Sequence, residues 1–220
     1  PYTDINPLFI FAGESNAAGY ADNADASAGE IDETSFIQIV NNTSLAFENL
    51  DIGVNNLIGS LIPNITLYHG WELQLSQRTD LINTPLYLAK TGKAGSQISQ
   101  WSDGQPYWDD FKAIVDAAIA LQPTLKPVIF YSQGINDREA GIPVATWKAD
   151  TIAHFAKIRA RYGSTTPIII AKLPTAYAVV NTAFDEIVAD DPYSYSVDST
   201  DLALKDSFHY NYVSMKTLTN

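Results

Sequence analysis

Apolar residues in this chain gather in short continuous runs, and stretches of helical spacing lie between them. The runs are Pro7–Ala12, Ile65–Tyr68, Pro85–Ala89, Pro127–Ser132 and Pro167–Leu173. Most open at or just after a proline and stop near Gly, Pro or a polar cluster, as strands do. They are continuous rather than alternating, which predicts strands covered on both faces, as in a parallel sheet. Over Asp109–Leu121, Phe111, Ile114, Val115, Ala118 and Ile119 follow helical spacing behind the acids Asp109 and Asp110. Over Ala145–Tyr162, Trp147, Ile152, Phe155, Ile158 and Tyr162 mark one face, and Gly163 supplies a stop. Strand, helix, strand, helix, strand is the order of an α/β layer architecture. Gly19–Ser35 is small, polar and acidic and reads as a surface loop. Asn41–Asn64 is Asn-rich and reads as a short strand pair or an irregular excursion. No repeat and no linker-like composition interrupts the chain, so the expectation is one domain over residues 1–220.

Composition narrows the function classes. Lys plus Arg is 13 against 25 Asp plus Glu, a net charge of -12. Such a field repels a polyanion and an anionic membrane surface alike, so neither nucleic acid nor membrane is an expected partner. No apolar run approaches the ~20 residues of a membrane span. With 0 Cys, disulfides, thiolate catalysis and Cys-based metal sites drop out. Asp22, Asn23 and Asp25 miss the calcium-loop spacing, and the three histidines are scattered, so no metal and no cofactor is expected.

The chemistry then rests on four segments. Pro7–Ala12 runs into Gly13-Glu14-Ser15-Asn16, a strand and tight turn that would expose Ser15 at the C-terminal edge of a parallel sheet. Ser15 reads equally well as a helix N-cap. After Pro85–Ala89 comes a glycine-containing loop with Gly95, whose N–H can approach a substrate oxygen or simply complete a turn. After Pro127–Ser132 comes Gln133-Gly134-Ile135-Asn136-Asp137, in which the Asn136 amide is either an oxyanion donor or a cap. Near the C-terminus, Asp206-Ser207-Phe208-His209 places a carboxylate where it can hold Nδ1 and leave Nε2 free as a base, although a solvated loop would read the same. His154 and His69 read as structural. The nucleophile-elbow pattern G-x-S-x-G is not met, since Ala17 stands where the second Gly belongs.

Taken together, the four segments resemble the blocks of the SGNH hydrolases, in that family's order. In detail they are closer to the carbohydrate-esterase branch that includes acetylxylan esterases and sialate O-acetylesterases. That branch reads G-Q-S-N-M-x-G, G-G-[TS]-x-I-x-x-W and Q-G-E-x-D. The matches here are Gly13, Ser15, Asn16 and Gly19, then Gly95, Ser96, Ile98 and Trp101, then Gln133, Gly134 and Asp137. Gly70-Trp71-Glu72-Leu73 is similar to the branch's G-P-E segment. Glu14 stands for the usual Gln, Ala17 for Met, Ala94 for the first Gly of the second block, and Ile135-Asn136 where the third block has Glu. The resemblance implies a three-layer α/β/α fold, flavodoxin-like, with a mostly parallel sheet of about five strands. It implies a serine esterase removing O-acetyl groups from a carbohydrate, with Ser15 as nucleophile, His209 as base and Asp206 as its orienter. The oxyanion would sit on the N–H groups of Ser15 and Gly95 and the Asn136 side chain. Glu14, Gln133 and Trp101 would contact substrate, and Trp71, Tyr107 and Trp108 would offer further flat faces for sugar stacking. The implied partner is an acetylated carbohydrate or other small ester, and the implied location is secreted or periplasmic. The chain ends eleven residues after His209, where members of the branch continue into a helix, which suggests a domain excised from a longer chain. A lipase, a thioesterase, a peptidoglycan O-acetylesterase and a non-catalytic carbohydrate-binding domain remain as alternatives.

Overall fold

A computed structural model describes residues 6–31, 34–56, 59–62, 65–76 and 85–218. In chain order the strands are β1 (Asn6–Gly13), β2 (Ala21–Asp22), β3 (Thr34–Val40), β4 (Phe47–Leu50), β5 (Tyr68–His69), β6 (Leu86–Lys90), β7 (Leu125–Ser132), β8 (Ile168–Ala171) and β9 (Ser194–Val197). The α-helices are α1 (Ser15–Ala18), α2 (Trp71–Ser76), α3 (Pro106–Leu121), α4 (Ile135–Glu139), α5 (Val144–Tyr162), α6 (Ala178–Asp190) and α7 (Tyr212–Leu218).

Seven strands form one sheet in the order β4-β3-β6-β1-β7-β8-β9, and β2 pairs with β5 separately. Only the β3–β4 pairing in the large sheet is antiparallel. β1 lies at the centre because both its faces are apolar. Leu8, Ile10 and Ala12 join the core under α3, α5 and α6, and the intervening Phe9 and Phe11 join the core under α2 and α7. The period of two thus feeds two hydrophobic layers from one strand. Each fully buried Leu, Ile or Phe there contributes about 1.5–3 kcal/mol.

The architecture is the expected three-layer α/β/α, with seven strands where about five were expected. The added strands lie at the sheet's edges: β3 and β4 on one side and β9 on the other. Within the Asn-rich excursion lies β4, which pairs antiparallel with the preceding β3; residues 57–58 and 63–64 of the excursion lie outside the described residues. The Gly19–Ser35 segment holds β2 and two short 3₁₀ turns before β3 begins at Thr34. The Ile65–Tyr68 run is corrected: Ile65–Leu67 forms a 3₁₀ turn, Leu67 is exposed, and only Tyr68–His69 pairs, with β2. Helix α3 starts at Pro106 rather than Asp109, because proline's fixed φ suits the first turn of a helix. Among the described residues no helix is long and apolar enough to cross a membrane.

Candidate active site

Three parallel strands deliver their C-terminal ends to one cleft. β1 ends at Gly13, whose φ of +123° and contact with Ser132 forbid a side chain: a Cβ there would lie 2.0 Å from the Ser132 carbonyl oxygen. That close approach turns the chain sharply and starts α1 at Ser15. β6 leads to the loop bearing Gly95 (φ +74°), and β7 leads through Gly134 to Asn136 at the start of α4. The fourth contributor is the loop after β9, where Asp206 and His209 sit.

His209 Nε2 lies 2.9 Å from Ser15 Oγ. His209 Nδ1 lies 2.7 Å from Asp206 Oδ2. Asp206 Oδ1 accepts the N–H groups of Phe208 and His209, at 2.8 and 2.9 Å. Burial pushes the Asp206 carboxyl up, but the bonds from His209 and Phe208 outweigh it and hold the group below the ordinary aspartate value. A carboxylate fixed on Nδ1–H selects the tautomer that leaves Nε2 facing Ser15 as an acceptor.

Residues 194 apart in sequence meet because Asn16 clamps them. Its Nδ2 donates to the Phe208 carbonyl at 3.0 Å and its Oδ1 accepts the Tyr210 N–H at 3.2 Å. The Tyr20 ring stacks on the His209 ring, centroids 4.2 Å apart at 14°, and Tyr68 stacks on Tyr20 at 4.7 Å. These contacts fix the imidazole's plane as well as its position.

Opposite Ser15, Asn136 is held by Glu14. Glu14 Oε1 accepts the Ile135 N–H at 2.8 Å, and Oε2 accepts the Asn136 N–H at 3.0 Å and Asn136 Nδ2 at 2.5 Å. Once ionised, the Glu14 carboxylate has only acceptors, so it sorts the amide: Nδ2 faces Glu14, and its second hydrogen has no partner among the described residues. Burial dominates the Glu14 carboxyl and lifts it to about 7, against the lowering effect of these N–H bonds. The N–H groups of Ser15 and Gly95 make no hydrogen bond with any described residue. The cleft holds about 220 Å³, with Ser15, Gly95, Asn136, Glu139, Phe208 and His209 in its wall. Among the described residues no group of three His, Asp or Glu side chains is placed to hold a metal ion.

A family model for carbohydrate esterases described as sialic acid-specific acetylesterases matches residues 6–220. The chain belongs to this family. No curated protein matches it. Among solved structures, a protein from Arabidopsis thaliana is similar over 98% of this chain and 95% of its own, with TM-score 0.72 and 16% identity. NanS is similar over 98% and 94%, with TM-score 0.62 and 12% identity. A carbohydrate acetylesterase from Xanthomonas citri is similar over 97% of this chain and 54% of its own, with TM-score 0.59 and 12% identity. At these identities the likeness is one of fold.

Three expected substrate contacts are corrected by burial. Glu14 and Gln133 are 0% exposed and Trp101 1%, so none reaches a bound sugar. Each serves the loops instead. Gln133 Nε2 donates to Asp137 Oδ2 and to the Ser96 carbonyl, and its Oε1 accepts from Trp147 Nε1. Asp137 in turn accepts the Ile98 N–H. These bonds tie the Gly95 loop to the Asn136 loop. Trp101 donates to Ser96 Oγ at 3.3 Å and packs on Tyr107 and His154. Trp71 and Trp108 are also core residues, Trp71 on the α2 side against Phe11 and Trp108 under α3 against Phe111. Glu72, in the segment similar to G-P-E, is buried against Lys90 at 2.5 Å and also accepts from Asn56 and the Gly70 N–H. The aromatic that does line the cleft with an open face is Phe208, 37% exposed. Phe208, Tyr20 and Glu139 are wall residues that local sequence did not single out.

Proposed function

We propose that this chain is a serine esterase that removes O-acetyl groups from a carbohydrate through an acyl-enzyme. The observation that carries this reading is the continuous chain Ser15–His209–Asp206, at 2.9 and 2.7 Å, in the wall of an open cleft. Family membership supports the ester and the carbohydrate.

In the first half-reaction, Ser15 Oγ attacks the acetyl carbonyl while His209 Nε2 takes its proton. Asp206 stabilises the resulting imidazolium and keeps its orientation. The oxyanion forms against the N–H groups of Ser15 and Gly95 and the free hydrogen of Asn136 Nδ2, each worth about 10²–10³ in kcat. His209 then protonates the sugar oxygen as the alcohol leaves. In the second half-reaction a water, deprotonated by His209, attacks the acetyl-serine, and His209 returns that proton to Ser15 Oγ as acetate departs. We read residues 1–220 as one catalytic domain whose acetylated glycan substrate fits a secreted or periplasmic setting.

Ser15→Ala tests the reading with 4-nitrophenyl acetate and an acetylated xylan. The expected result is loss of at least about 10³-fold in kcat/KM with the urea unfolding midpoint unchanged. Hydrolysis by Ser15→Ala at the parent's rate would overturn it.

A further inference from the structure

The reaction places no demand on charge outside the scissile ester, so the rest of the cleft wall is free to select the sugar. Sugars that carry O-acetyl groups fall into two chemical classes. Some are neutral, and some, sialic and uronic acids, hold a carboxylate that is ionised at neutral pH. A site for the second class needs a cation or a convergent set of N–H donors. Among the described residues the cleft has no Lys or Arg in its wall, and the one carboxylate there is that of Glu139. The Tyr177 hydroxyl donates to Glu139 Oε1 at 2.9 Å, and Tyr177 is itself buried. That bond points the carboxylate on α4 one turn beyond Asn136.

The cations elsewhere do not make up the deficit. Lys205 sits over the Tyr20 and Tyr68 rings but pairs with Asp22 at 3.0 Å. Lys93 pairs with Asp110 and donates to the Gly59 carbonyl. Lys90 is buried against Glu72. Among the described residues, only Lys126 and Arg138 lack a carboxylate partner. Lys126 stands near the N-terminal end of β7, at the edge of the sheet away from the cleft. Arg138 neighbours Glu139 on α4 and is exposed, outside the wall. The chain's net charge of -12 adds to the same sign.

A neutral sugar meets complementary chemistry here. Its hydroxyls donate to the Glu139 carboxylate, and its C–H face lies on the open ring of Phe208. We propose that the cleft selects neutral acetylated sugars and rejects those bearing a carboxylate, with Glu139 as the discriminating residue. This inference rests on the esterase reading, and it runs against the sialic acid specificity in the family's description.

The test uses matched pairs in which charge is the only variable. One pair is methyl 9-O-acetyl-N-acetylneuraminide and its carboxyl methyl ester. The other is an O-acetylated methyl glucuronide and its carboxyl methyl ester. Acetate release is measured for each. Two like charges about 6 Å apart, with Glu139 exposed so that the effective dielectric lies near 40, cost about tenfold in binding. The parent protein should therefore cleave the methyl esters about tenfold faster in kcat/KM at low salt, and 0.5 M NaCl should narrow the gap. Glu139→Gln should shrink the gap at least about threefold, and Arg138→Ala should leave it unchanged. Equal or faster cleavage of the free acids overturns the inference, as does a selective loss on the free acids in Arg138→Ala. So does cleavage of 4-nitrophenyl acetate with none of the four sugars. Failure to cleave even 4-nitrophenyl acetate overturns the esterase reading, and this inference with it.

Discussion

Replacing Glu14 with glutamine is an isosteric change with a calculable pH signature. The Glu14 carboxyl is fully buried and its pKa is raised from 4.5 to about 7. The folded state therefore holds a proton between those limits that the unfolded chain has released. Stability from this group is fully present below pH 4.5 and is lost as pH rises through 7. Each tenfold change in proton affinity is about 1.4 kcal/mol, so the whole swing is about 3 kcal/mol. Glutamine does not titrate, and its single oxygen cannot accept from Ile135 N–H, Asn136 N–H and Asn136 Nδ2 together. Urea unfolding followed by tryptophan fluorescence at pH 4.5, 5.5, 6.5 and 7.5 gives the unfolding free energy of both proteins. The difference, parent minus Glu14→Gln, should fall by about 3 kcal/mol across that range. His69 and His154 titrate in both proteins and cancel in the difference. A difference that stays flat, or rises with pH, would refute the reasoning about Glu14's burial.

Asn136→Ala should lower kcat by about 10²–10³ on 4-nitrophenyl acetate while KM moves less than about threefold, because its donor acts on the developing oxyanion; a loss confined to KM would assign Asn136 to binding. His154 is caged by Trp101, Trp108, Phe111, Tyr131 and Phe155, and burial depresses its pKa from 6.5 to about 3. The unfolded chain takes up a proton below 6.5 that the folded protein refuses, so acidification from pH 7 to pH 5 should cost about 2 kcal/mol through this residue. His154→Leu should show a correspondingly shallower loss of urea midpoint over that interval, and an unchanged slope would contradict the assignment.

How much of this was legible in the sequence follows from where each contact lies along the chain. β1, β6, β7 and β8 announce themselves because a strand covered on both faces must be apolar throughout. β9 does not, because Ser194-Tyr195-Ser196-Val197 is an edge strand with Tyr195 and Val197 exposed. Helix α6 carried a readable pattern in Val180, Ala183, Phe184 and Ile187, at i, i+3, i+4 and i+7, and was missed. Ser15, Asp206 and His209 were readable as candidates because each sits in a compact local motif. Their meeting depends on Asn16 bonding residues 192 and 194 positions away, which no local spacing encodes. The tryptophans misled for a related reason: an indole beside a motif fits a sugar platform and a core equally, and only tertiary packing decides, between α3 and α5 for Trp101 and Trp108 and against Phe11 of β1 for Trp71. Glu14, expected to contact substrate, has partners that lie 121 and 122 residues on, beyond the reach of any local spacing.

The most direct test of the central claim is to trap the reacting side chain. Paraoxon phosphorylates a serine hydroxyl only where a neighbouring base activates it, with loss of 4-nitrophenolate. Intact mass followed by peptide mapping should find one diethylphosphoryl group, on Ser15, and His209→Ala should slow its formation by at least about 10²-fold. No adduct, an adduct on another residue, or labelling of Ser15 at the same rate without His209 would contradict the account.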